Sequence, residues 1–182
     1  LPAEVETALG RILDDLRPRS HDVKWVPSKN IHLTVKFLGD TEASLVDKIK
    51  AAIYQVAAIC QPIEGVIDRI GGFPNLKRPR VIWVGESEPS EQAARIAGQL
   101  DLRLRKLGFE PESRPFNGHL TLGRVRQGRR IDDLAKQLEG YAFSPIPVRL
   151  DRLVLFKSIL GPGGATYERL HEAALGAERF SG

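Results

Sequence analysis

Apolar residues recur at helical spacing in three long stretches of the chain. Val5, Leu9, Ile12, Leu13 and Leu16 share one face of residues 3–16, and Pro18 stops the pattern. Leu45, Ile49, Ala52, Ile53 and Val56 repeat it over Thr41–Ala58, with Thr41 as the N-cap. Ile96, Leu100, Leu104 and Leu107 do so over Ser90–Leu107, where Gly108 ends the helix. A short fourth helix is predicted over Ile131–Leu138. The segments VKWV, IHLTVKFLG, IEGVIDRI, RVIWVG, GHLTLGRV, VRLDRLVLFK and ATYERL read as strands, the last following a GPGG turn. Strands outnumber helices and do not alternate with them strictly. An α+β fold with mainly antiparallel sheets is therefore expected.

The order also repeats itself. Each half holds a long helix and a strand containing HLT, which predicts one bilobal domain over residues 1–182 with pseudo-twofold related lobes. Each lobe contributes one HxT strand, residues 30–38 and 118–126. Side chains alternate along a strand, so His32 and Thr34 point one way while Leu33 and Val35 point the other. His119 and Thr121 share a face in the same manner. If the two polar faces meet, two imidazoles and two hydroxyls converge. Imidazole titrates near ~6.5, so one ring can act as a base while its twin acts as an acid. Threonine hydroxyls can donate to the non-bridging oxygens of a phosphate as charge shifts in the transition state. The set suits in-line displacement at phosphorus without a metal or a protein nucleophile. A single strand histidine is more often a satisfied polar residue; two matched copies reverse that reading. Zinc fits poorly, because H-x-T offers one ligand per strand and no third histidine or carboxylate stands at a zinc spacing. His21, in a polar loop, and His171, near the C-terminus, read as surface or packing residues.

Composition narrows the picture in a few places. The chain has 182 residues, 42% apolar and 27% charged, which suits a globular domain. Its apolar runs are too short and too interrupted by charge for a membrane span, and no signal-peptide pattern is visible. The single cysteine, Cys60, ends an apolar helical stripe and reads as core, so no disulfide framework or cysteine-rich metal site forms. A cytoplasmic, monomeric protein without cofactor, metal or protein partner is expected. The net charge of +4 permits an anionic partner. Basic residues cluster in NLKRPR (Lys77, Arg78, Arg80) and in GRVRQGRR (Arg124, Arg126, Arg129, Arg130). The sequence contains no methionine and begins at Leu1, so missing N-terminal residues are expected.

The motifs resemble those of the 2H phosphoesterases, and within them the LigT-like RNA 2′,3′-cyclic phosphodiesterases of the 2′-5′ RNA ligase family. HLTVKFLG resembles the family's H-x-T-x-x-F-L-G, and HLTLGR its H-x-T-x-x-R. GGFPNLKRPRVIWVG and LVLFKSILGPGGATYERL resemble the segments that lie between and after them. The likeness spans essentially the whole chain in the right order. It implies a bilobal fold whose two sheets line a central cleft with helices outside, and hydrolysis of an RNA-terminal 2′,3′-cyclic phosphate to a 2′-phosphomonoester. It further implies His32 as proton donor, His119 as proton acceptor, and Thr34 and Thr121 as phosphate holders. Arg124 and Phe37, each five residues after a histidine, would flank a nucleobase, as single-stranded RNA recognition often requires. Strict alternation places both on the aliphatic face. Either the strand twists or bulges after the threonine, or these residues serve packing and ion pairing. Lys36 shares the His32 face by parity and would add positive charge there. The alternatives are another cyclic phosphate as substrate, reversible 2′-5′ ligation, or a non-catalytic RNA or nucleotide binder. Two features depart from the family: no F-x-A-I strand precedes Leu1-Pro2, so that strand is either missing from this sequence or absent from the protein, and Gly118 stands where many members have proline before the second histidine.

Overall fold

The computed structural model describes residues 1–88, 90–161 and 164–176. The chain divides into two compact units, one of Leu1–Thr34, Glu64–Ser90 and Gly118–Arg149, the other of Val35–Ile63, Glu91–Asn117 and Leu150–Gly182. Both combine helices with antiparallel strands, so the α+β expectation holds.

The first unit opens with helix α1, Ala3–Leu16, whose predicted stripe of Val5, Leu9, Ile12, Leu13 and Leu16 is buried throughout. Each such side chain contributes roughly 1.5–3 kcal/mol on leaving water. The unit's sheet contains β1 (Val23–Trp25), β3 (Arg69–Phe73), β4 (Val81–Gly85) and β5 (Leu120–Val125), with β2 (Ile63–Ile67) lying outside it. Its order is β1-β5-β4-β3, with antiparallel neighbours throughout. Ile82, Val84, Leu120, Leu122 and Val23 are buried on one of its faces. A short helix α4, Asp132–Glu139, and the strand β6, Ile146–Leu150, complete the unit, and β2 pairs with β6.

The second unit holds helices α2, Val46–Ile59, and α3, Glu91–Leu104, packed on each other, and the antiparallel hairpin of β7, Arg152–Gly161, and β8, Gly164–Ala174. Pro162 and Gly163 of the expected GPGG turn lie outside the described residues. Cys60 is buried just past α2, and burial pushes its thiol pKa up, as suits a core residue.

Several strand expectations change. IEGVIDRI and VRLDRLVLFK are not single strands. Each breaks at an aspartate, Asp68 or Asp151, and its halves join different sheets. Thr41 does not cap α2, because its hydroxyl donates to the Gly39 carbonyl and a 3-10 turn, Ala43–Leu45, precedes the helix. The segment IHLTVKFLG pairs at one residue only, through an isolated antiparallel bridge between Leu33 and Leu120. The reason lies in the partner: β5 begins at Leu120 and leaves no strand beyond it to pair with. The sequence pattern assigns one HxT strand to each lobe. In the structure His32, Thr34, His119 and Thr121 all belong to the first unit, because Leu33 pairs with Leu120.

Candidate active site

The Leu33–Leu120 bridge fixes the geometry of both motifs. Extending its antiparallel register by one residue in each direction sets His32 opposite Thr121 and Thr34 opposite His119. Residues opposite one another point to the same face, so all four lie on the face away from Leu33 and Leu120. Directly facing Cβ atoms stand about 4.5–5.5 Å apart and diagonal ones about 7–8 Å. The two histidines occupy one diagonal and the two threonines the other. All four residues are half-exposed, while Leu120 is buried.

The two imidazoles are held differently. Nδ1 of His32 lies 2.9 Å from the Asn30 carbonyl, within hydrogen-bonding reach. A ring whose Nδ1 donates to that carbonyl presents Nε2 for acid–base exchange. His119 is backed by aromatic rings. Phe73 meets it edge-on with centroids 4.8 Å apart, and the Trp83 centroid lies 6.2 Å away. Phe73 and Trp83 pack on each other at 5.3 Å, and the Arg69 guanidinium sits 5.1 Å from the Trp83 centroid. Trp83 is only 6% exposed and lies across Gly71, where any Cβ would overlap the indole. The glycine therefore makes room for the ring that backs His119. Phe73, Trp83 and Gly71 carry no site signal of their own in the sequence; only the likeness of GGFPNLKRPRVIWVG to the family segment points to them.

A β-bulge settles the conflict at Arg124. On β4, Trp83 faces Thr121 and Ile82 faces Gly123, so Leu122 is an extra residue on β5. Gly123 then falls on the buried face, where a Cβ would come within 2.6 Å of Val23 and 2.9 Å of Trp25. Arg124 emerges on the same face as Thr121 and is exposed. It stands opposite Val81 on β4 and Lys24 on β1.

Phe37 and Lys36 belong to the second unit. Phe37 is outside any strand and 75% exposed. Lys36 is not a free surface cation. Its Nζ lies 2.6 Å from Asp101 Oδ1 and donates to the Glu110 carbonyl at 2.6 Å, with the side chain only 8% exposed. The Asp101 contact is charge pairing without hydrogen-bond alignment, since Oδ1 has no hydrogen-bond partner among the described residues. His21 is exposed and His171 half-buried on β8.

A doubled H-x-T on one sheet face is the signature of a 2H phosphoesterase, and the comparisons with known proteins agree. Residues 2–161 match the model of the 2′-5′ RNA ligase superfamily, and the chain belongs to that family. An Archaeoglobus fulgidus protein named RNA 2′,3′-cyclic phosphodiesterase is 35% identical over 81% of this chain and 81% of its own length. A protein of the same name from Methanothermobacter thermautotrophicus is 33% identical, over 87% of this chain and 86% of that one. Among solved structures, a Thermus thermophilus protein superposes with a TM-score of 0.78 at 26% identity, covering 97% of this chain and 94% of that one. Escherichia coli LigT superposes at 0.73 and 23% identity, covering 96% and 93%, a likeness of fold. No helix among the described residues is long and apolar enough to cross a membrane.

Proposed function

We propose that this protein hydrolyses RNA-terminal 2′,3′-cyclic phosphates to 2′-phosphomonoesters by acid–base catalysis between His32 and His119. The observation that supports the reading is the Leu33–Leu120 bridge, whose antiparallel register, carried one residue either way, would turn both imidazoles and both threonine hydroxyls to one face. The names of the relatives, at 33% and 35% identity over most of the chain, supply the substrate class.

A cyclic phosphate seated over this square meets a threonine hydroxyl on each side and an imidazole at each remaining corner. His119 takes the proton of a water attacking phosphorus, and His32 gives one to the departing 3′ oxygen. The P–O3′ bond breaks as the new P–O bond forms, and the phosphate stays on the 2′ oxygen. The assignment of donor and acceptor follows the family resemblance, since the two motifs are chemically symmetric. Thr34 and Thr121 donate to the non-bridging oxygens as negative charge grows there. Arg124, brought to this face by the bulge, contacts the nucleotide, and Phe37 offers an exposed ring for a base.

The test is an oligoribonucleotide ending in 2′,3′-cyclic phosphate. Turnover should persist in EDTA, yield a 2′-phosphate, and follow a bell-shaped pH profile. His32→Ala and His119→Ala should each lower kcat by about 10²–10⁴-fold. Activity abolished by EDTA, or retained in both variants, overturns the mechanism. Running cyclic mononucleotides and a 5′-hydroxyl acceptor RNA in parallel separates hydrolysis of RNA ends from other cyclic phosphates and from ligation.

A further inference from the structure

The two basic clusters, separated by more than forty residues of sequence, line one groove. Lys77, Arg78 and Arg80 form one wall, and Arg126, Arg129 and Arg130 the other, around a cavity of about 740 Å³. They meet because β4 and β5 are paired: Val125 donates its amide to the Arg80 carbonyl at 2.9 Å, so the chain entering β4 and the chain leaving β5 lie side by side. All six cations are exposed. Asp132 is the one carboxylate among the lining residues, and it is engaged by Arg130. Arg129 reaches Asp22 at 3.5 Å, whereas Lys77, Arg78 and Arg80 have no ion pair among the described residues.

Two features connect this groove with the histidine face. It lies at the end of β5, the strand that begins beside His119. Between them Lys24 and Arg124 stand directly opposite each other across β1 and β5, both exposed. Like charges facing across strands oppose folding. A polyanion laid along the face would relieve that repulsion. The lining's apolar residues do not project outward, since Pro79 and Ile131 are buried and Val125 is half-buried. A membrane-binding surface would carry exposed apolar side chains beside its charge.

We infer that this groove binds the phosphodiester backbone of a single RNA strand, holding the nucleotides that precede the reacting end. The inference rests on the proposed activity for the direction of the strand, but the groove's affinity for RNA does not depend on turnover. Contacts to phosphate from lysine and arginine are insensitive to sequence and strongly dependent on salt.

The experiment titrates the full chain into a fluorescent single-stranded RNA with a 3′-hydroxyl end, which cannot be turned over, across a salt series read by anisotropy. Replacing three cations in Arg78→Gln/Arg129→Gln/Arg130→Gln should weaken binding about tenfold or more and reduce the slope of log affinity against log salt by about 2, at ~0.7 per phosphate contact. A charge-keeping Arg78→Lys/Arg129→Lys/Arg130→Lys variant should retain the slope, which keeps the inference testable if the glutamine variant folds poorly. In a kinetic arm, the preference in kcat/KM for a cyclic-ended oligomer over a cyclic mononucleotide should fall about tenfold in the glutamine variant. Unchanged RNA affinity and salt slope in that variant overturn the groove whether or not the protein is active. Binding to phosphatidylserine vesicles that the glutamine variant loses while RNA binding persists also overturns it. Absent turnover on every substrate with the binding results as expected overturns the activity alone.

Discussion

The two HLT segments carry the same three residues in very different settings. The second opens β5, an interior strand of a four-stranded sheet with β4 on one edge and β1 on the other. The first is held by one bridge at Leu33, a buried Ile31, the Asn30 carbonyl beside His32 and, further on, the ion pair of Lys36. His119 packs against aromatic rings, whereas Nδ1 of His32 lies against a backbone carbonyl. Chemical symmetry between two motifs thus requires no equivalence of scaffold. It requires one point of contact that sets the register.

Amide hydrogen exchange should show the contrast at its largest. The amides of β5, flanked by β4 and β1, open only when the sheet does, whereas the amides of residues 35–37 lie outside any strand or helix. Protection in the middle of β5 should exceed that at Val35–Phe37 by about 10³–10⁴-fold. Equal protection would mean that the first segment is as firmly held as β5, and the comparison would break.

Trp83 comes next. Removing this buried ring in Trp83→Ala should cost about 3–5 kcal/mol in urea denaturation and lower kcat through loss of the backing of His119. Trp83→Phe should cost much less. It keeps an aromatic ring and discards an indole nitrogen that has no hydrogen-bond partner among the described residues. If both variants lose stability alike, the site requires the full indole and not an aromatic ring in general. If kcat is unmoved in Trp83→Ala, the aromatic wall does not position His119.

These residues also mark where the sequence was legible. The stripe of α1 and the buried residues of α3 are visible from periodicity, because each helix buries one face. The polar face of each HLT is visible from parity, and parity fails at Arg124 for one local reason, the extra Leu122. The trace of that bulge in LTLGRV is Gly123, a glycine inside a strand pattern, which does not say which residue is the extra one. Breaks at Asp68 and Asp151 do leave a trace, since two polar residues follow each other at Asp68–Arg69 and at Asp151–Arg152 and the apolar parity shifts by one, but the change of partner strand is not written there. Phe73 and Trp83 reach His119 only across strand pairing, as do the two basic clusters that share a groove. What the sequence withholds is chiefly which strands are neighbours, a property of the folded sheet and not of any window along the chain.

The two smaller effects fall on the first segment and test what holds it. Lys36→Met leaves Asp101 without its cation in a site where the lysine side chain is 8% exposed and the aspartate 21%. The cost should be about 1–3 kcal/mol, read by thermal or urea denaturation, and Lys36→Met/Asp101→Leu should recover part of it because no charge is then stranded. Phe37→Ala should change stability by less than about 0.5 kcal/mol, since the ring is 75% exposed. Its effect belongs in binding: a base stacked on that ring is worth roughly 1–3 kcal/mol, so KM for a cyclic-ended oligomer should rise while kcat stays close to wild type. A fall in kcat with KM unchanged would assign Phe37 to holding His32 in place, and the first segment would then depend on its exposed half as much as on its bridge.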